Sequence, residues 1–158
     1  MIYVGHISST HGIKGELKCY TNFSRPDLVF KLHQKVYIDG QPHMISSIRY
    51  HQNHYLVTFD SLNDINLVED FRNQDIYIER ADLELEETEY LIEEILHFSV
   101  YENQNYLGEI TDIVYNKGGN LLNVKGKSSF YIPFQDYFIK NVNIQEKKVV
   151  VENTKGLW

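Results

Sequence analysis

Residues 10–20, Thr-His-Gly-Ile-Lys-Gly-Glu-Leu-Lys-Cys-Tyr, gather several chemically capable side chains in one short stretch. His11 and Cys19, the sole cysteine, are the types that a nucleophile and its base require, because a thiol attacks as its thiolate and an imidazole can take the proton. No third residue marks itself as the group that would orient the imidazole. Cys19 also falls in an alternating pattern that reads as a small residue in a barrel wall. His51-x-x-His54 is a second candidate, since two imidazoles across a turn can touch one metal ion. No further His or Cys stands at convincing ligand spacing, and a solvated turn accounts for the pair. Gly12-Ile13-Lys14-Gly15 has the Gly-x-x-Gly spacing with which KH domains grip a nucleotide backbone. That motif needs helices on both sides, and here the flanks read as strands. The two glycines then read as a tight corner where positive φ or close backbone approach excludes a side chain. The phosphate-cradling Gly-x-x-x-x-Gly-Lys-Ser/Thr loop is absent.

A third pattern is electrostatic. The formal net charge is −7, from 22 acids and 15 bases. Residues 1–81 hold eight bases and nine acids, whereas residues 82–158 hold seven bases and thirteen acids. Asp82, Glu84, Glu86, Glu87, Glu89, Glu93 and Glu94 form a run with no base among them. A protein whose affinity came mainly from phosphate contacts would carry the opposite sign. The run reads either as a solvated linker or as a docking strip that steers a basic protein into contact. Its acids lack the separated, differently buried settings that an acid–base pair needs.

The elements that must position these residues are mostly strands. Hydrophobic residues make up 42% of the 158 residues, enough to bury a core. Ile2–Ser8, Gly15–Asn22, Lys35–Tyr50, Arg49–Phe59 and Asp75–Arg80 carry strand-like runs, with Asp39-Gly40 as a hairpin signal and His51–Asn53 at a turn. Residues 64–72 are the best short helix: Asp64 can cap it, and Ile65, Val68 and Phe71, helped by Leu67, are placed to cover one end of a first barrel. The boundary falls near residue 84, giving domains 1–83 and 84–158. Beyond it, Ile95–Tyr101 and Leu107–Tyr115 flank a hairpin, Gly118-Gly119 marks a turn, and Leu121–Gly126, Ser128–Phe134 and Lys147–Asn153 supply further strands. The expected fold is all-β with one short helix, arranged as two small barrels or sandwiches. One cysteine excludes an internal disulfide, no apolar run approaches the ~18 residues of a membrane span, and the start lacks a signal-peptide pattern. These features read as a soluble cytoplasmic chain.

Val4–Lys18, with its Thr-His-Gly-Ile-Lys-Gly-Glu string, resembles the opening of the RimM family of ribosome maturation factors. Leu62–Arg80 resembles the helix and strand that end that family's first domain. Glu89–Val114 resembles the start of its second domain, and Phe130–Phe134 with the terminal Gly-Leu-Trp resembles its close. The resemblance implies a six-stranded translation-factor-like barrel followed by a PRC-type barrel. It implies a monomeric, non-enzymatic assembly chaperone for the small (30S) subunit head during 16S rRNA processing, without cofactor. It implies a small basic partner, the ribosomal protein uS19. The family usually places an aromatic pair after the linker glutamate, where docking is attributed to it; here Tyr90 keeps the first and Leu91 replaces the second. Asp64-Ile65-Asn66 and Gly119-Asn120-Leu121 also depart from the usual pattern. On this reading Glu86, Glu87, Glu89, Tyr90 and Leu91 face the protein partner, and His11, Gly12, Lys14 and Gly15 face RNA. The other readings of the residues are a general RNA-binding module, or a hydrolase or metal enzyme built on Cys19, His11 or the His51/His54 pair.

Overall fold

Six strands form in the first half of the chain, with period-two alternation clearest in the short ones: β1 (Ile2–His11), β2 (Glu16–Tyr20), β3 (Lys35–Ile38), β4 (Gln41–His51), β5 (His54–Phe59) and β6 (Asp75–Ile78). The computed structural model describes residues 1–86 and 89–158 and divides the chain into two units, Met1–Glu87 and Thr88–Trp158. In the first unit the strand order is β1-β2-β5-β4-β3-β6, and β6 returns to pair with β1, so the sheet closes into a barrel. Closure leaves no open edge to pair with another chain. The interior is filled by Val4, Ile7, Leu17, Cys19, Val36, Ile38, Ile45, Val57, Phe59, Ile76 and Ile78, all essentially inaccessible.

Turn chemistry sets the register. Asp39-Gly40 joins β3 to β4 with φ of 51° and 73°. Gln52-Asn53 joins β4 to β5 with φ of 48° and 69°, so that His51 and His54 stand directly opposite. Positive φ at both central residues is the twist that antiparallel strands accept most readily.

The helix is shorter than its sequence pattern. It is one α-turn, α1 (Ile65–Val68), followed by a 3₁₀ turn at Glu69–Phe71. The Asp64 carboxylate accepts the Asn66 N–H at 2.8 Å, as a cap should. Val68 is fully buried, and Ile65 and Phe71 are half-buried. Phe71 meets the His43 ring edge-on at 4.9 Å and lies 5.8 Å from Phe59. Leu67 corrects the expectation: it is 58% exposed, because two residues from Ile65 it points away from the face that Ile65 and Val68 share.

The second unit holds β7 (Ser99–Glu102), β8 (Asn105–Val114), β9 (Leu121–Lys125), β10 (Ser129–Pro133), β11 (Ile139–Asn143) and β12 (Lys148–Val151). They form one sheet in the order β10-β9-β8-β7-β12-β11, antiparallel except for the parallel β7/β12 pair. Its core comprises Phe98, Val100, Ile110, Leu122, Val124, Phe130, Ile132, Val149 and Val151, joined by Ile92 and Ile95. Ile92–Ile95 is a 3₁₀ turn, so the strand expected from Ile95 begins only at Ser99. The cause is local: Glu94 folds back, its carboxylate accepting the Leu91 N–H at 2.8 Å while its own N–H donates to the Leu91 carbonyl at 2.9 Å. β11 is the strand that sequence pattern did not reveal.

Candidate partner-binding site

The Gly12–Gly15 corner is a docking point inside the first unit. Gly12 has φ +66° and Gly15 φ +86°. Between them, the Ile13 carbonyl accepts the Ile65 N–H at 3.0 Å and so satisfies a donor that the first turn of α1 leaves open. Gly15 passes so close to the segment before α1 that a Cβ there would run into the Leu62 carbonyl oxygen. Ile13, at 75% exposure, and Lys14 stand out into solvent at the tip. The glycines therefore serve the backbone, and His11 and Lys14 are the members of the corner with side chains to offer.

The nucleophile arrangement is not formed. Cys19 faces the barrel interior, where burial pushes its thiol up to about 12. It pairs in the ladder with Ile7 and Tyr55, whereas His11 pairs with Glu16. His54 is not solvated as its turn position implied. It is 6% exposed beneath Tyr20, whose ring centre lies 5.2 Å from its own. Among the described residues no group of three or more His, Cys, Asp or Glu side chains is arranged to hold a metal ion.

The acidic run is handled piecemeal. Lys35 Nζ approaches Asp82 at 3.8 Å and Lys31 Nζ approaches Glu84 at 3.7 Å. A run that lacks bases in sequence thus receives two from the first barrel. Glu86 is exposed and Glu89 half-buried; Glu87 lies outside the described residues. Glu94 is the cap already described. Glu93 accepts the Tyr115 hydroxyl at 3.2 Å.

Tyr90 is half-buried on the rim of the second unit's core, edge-on to Phe134 at 6.3 Å. Burial raises its phenol above the usual range, and the nearby Asp136 adds to the effect. Tyr115, on the same core, is raised by burial, by Glu93 and by Asp112. Leu91 does not join this surface: it is 2% exposed, its backbone tied into the 3₁₀ turn. The side chains that sequence reasoning overlooked are Phe134, Tyr115 and Asp136. Only the aromatic density of Phe130–Phe134 hinted at the first.

A closed six-stranded β-barrel followed by a second six-stranded β unit, with exposed loops and aromatic rims as candidate sites, defines a two-domain all-β protein of the barrel class. Residues 2–83 match the RimM N-terminal domain, and residues 92–157 match the RimM PRC barrel domain. The chain belongs to the RimM family. It is similar to the ribosome maturation factor RimM of Staphylococcus aureus strain RF122, at 30% identity over 99% of this chain and 98% of that protein. It is similar to that of Oenococcus oeni, at 32% identity over 98% and 95%. Among solved structures, a 16S ribosomal RNA processing protein RimM from Pseudomonas aeruginosa matches with TM-score 0.48 and 19% identity over 95% of each chain. The N-terminal domain of RimM from Thermus thermophilus matches with TM-score 0.46 and 21% identity, over 53% of this chain and 94% of that one.

Proposed function

We propose that this chain is a ribosome assembly factor of the small (30S) subunit head, acting as a monomer in the cytoplasm while 16S rRNA is processed. Its second unit binds the small basic ribosomal protein uS19. Membership of the RimM family supports the assembly role, as do the near full-length relatives named ribosome maturation factors. The observation that carries the docking surface is Tyr90, half-buried against Phe134 with Asp136 beside it. A tyrosine held this way is already ordered before a partner arrives, so it loses little side-chain freedom on binding. Its apolar face fits an interface anchor, and the acids around it suit a basic partner.

The mechanism is positional. The factor holds a ribosomal protein and an rRNA segment in a competent arrangement and then leaves, and no bond is made or broken. Glu86, Glu87 and Glu89, just before Tyr90 in the chain, contribute long-range attraction, and His11 and Lys14 of the first unit face the RNA. The experiment is capture of purified small-subunit proteins by the full chain, followed by surface binding kinetics of the captured protein against Tyr90→Ala and Tyr90→Phe. Tyr90→Ala should cost about 2 kcal/mol or more in binding, and Tyr90→Phe, which keeps the packing, should recover most of it. Unchanged dissociation for Tyr90→Ala moves the docking surface elsewhere. Among the described residues no helix is long and apolar enough to cross a membrane.

A further inference from the structure

Tyr20, His54, His51 and His11 form a chain of rings on the first barrel. Tyr20 and His54 lie 5.2 Å apart at 42°, His54 and His51 5.8 Å apart at 86°, and His51 and His11 6.3 Å apart at 56°. Tyr20 is 44% exposed, and His51 and His11 are half-buried. Arg49, two residues before His51 on β4, donates from Nε and Nη2 to the two carboxylate oxygens of Glu16 at 2.9 and 3.0 Å. That bond holds the Glu16 carboxyl below its usual range, and the nearby His11 and Lys14 act in the same direction. Lys18, on β2, faces Leu56 across the β2/β5 ladder. Arg49, His11 and Lys14 thus gather about Glu16, in a chain whose net charge is −7.

His54 adds an independent sign of a ligand. Its Nδ1 faces the Gln52 carbonyl at 3.2 Å, and because a carbonyl only accepts, Nδ1 carries the hydrogen. Nε2 is then an acceptor, and it is buried with no partner among the described residues. A buried polar atom left unsatisfied costs free energy that a bound donor would recover. The Tyr20 ring packs against this imidazole, 5.2 Å between centres, so a turn of Tyr20 exposes more of the imidazole.

We propose that this face binds an unpaired segment of RNA, with bases stacked on Tyr20 and His51 and phosphates met by Lys14, Lys18 and Arg49. This rests on the reading that the first unit faces rRNA. A duplex hides the base faces that such rings recognise, whereas a single strand presents them. Once Tyr20 turns onto a base, Nε2 of His54 can accept from a ribose 2′-hydroxyl, a donor that DNA lacks. Three cations predict a slope of log affinity against log salt of about −2 for a single strand.

The test is fluorescence anisotropy of the full chain with a labelled single-stranded RNA ten-mer, the DNA of the same sequence, and an RNA hairpin duplex. The expected result is preference for the single-stranded RNA over both. Tyr20→Ala and His51→Ala should each weaken it about tenfold, Tyr20→Phe should retain binding, and His54→Gln should erase the preference over DNA. Equal affinity for the duplex, a slope steeper than about −4, or insensitivity to Tyr20→Ala with an unchanged melting temperature overturns the proposal. The same preparations are tested for binding to the basic ribosomal protein. No RNA binding with intact protein binding overturns the RNA face alone, and RNA binding without protein binding overturns the docking reading alone.

Discussion

Alanine at Gly12 and at Gly15 should have very different effects, although the two glycines share a turn and a sign of φ. At Gly12, φ is +66° and no atom lies within 4 Å of the position a Cβ would take. Alanine there meets only the left-handed backbone penalty, about 1 kcal/mol. At Gly15, φ is +86°, and the new Cβ collides with the Leu62 carbonyl and comes within 3.1 Å of the Asp64 nitrogen. These are backbone atoms, so a side-chain rotation cannot relieve the clash. The Leu62–Asp64 segment must move, and with it the Asp64 cap and the Ile13–Ile65 hydrogen bond. Overpacking of this kind adds about 1–3 kcal/mol, for a total of about 2–4 kcal/mol. Hydrogen exchange read by mass spectrometry on β1, β2 and α1 peptides isolates the first unit from the second. Gly12→Ala should speed exchange through global opening about fivefold, and Gly15→Ala roughly thirty-fold or more. Equal effects at the two positions would refute the steric argument and return the corner to a purely conformational role.

Phe71→Ala should destabilise the first unit by about 2 kcal/mol, less than the ~3–5 kcal/mol of a fully buried phenylalanine, because the ring is half-exposed; urea denaturation checks it, and a loss under about 0.5 kcal/mol would sink the packing role. Cys19 should resist thiol reagents at mildly alkaline pH until the barrel opens, since burial keeps the thiol protonated; labelling faster than unfolding would place Cys19 outside the core. Glu16 has its carboxyl lowered by Arg49, so its contribution is present above the unfolded-state value and is lost as pH falls through the lower folded value. Glu16→Gln should therefore show a flatter acid limb in melting temperature against pH than the parent chain, with an identical acid limb counting against the pair.

The strands were legible wherever local chemistry agrees with the ladder. Asp39-Gly40 fixes a hairpin by its φ values alone, and alternation in β2 and β6 marks their buried faces. Legibility failed where tertiary contacts decide. The spacing of Ile65, Val68 and Phe71 suits a longer helix, yet α1 stops after Val68, and nothing in the spacing announces that. β11, Ile-Lys-Asn-Val-Asn, is half-exposed with weak alternation, and it becomes a strand because β12 offers it a partner. The same limit governs the site. Tyr90 could be singled out from its place beside a run of acids. Its neighbours Phe134 and Asp136 lie more than forty residues along the chain and are brought near only by the fold. Lys31 and Lys35 reach Glu84 and Asp82 across a similar gap, so the charge of the run cannot be summed from its own residues. The histidines misled for the opposite reason: His51 and His54 look like a solvated pair in sequence, and a tight turn folds them into a packed row.

The central claim is that the second unit captures a basic ribosomal protein through Tyr90. The most direct measurement is surface binding kinetics of isolated uS19 on the immobilised full chain, at two salt concentrations, with Tyr90→Ala and Tyr90→Phe alongside. The expected result is a saturable complex whose dissociation quickens roughly thirty-fold in Tyr90→Ala, is nearly restored in Tyr90→Phe, and whose association slows with added salt. No complex at all, or a Tyr90→Ala chain that melts as the parent does and releases uS19 at the parent's rate, would contradict it.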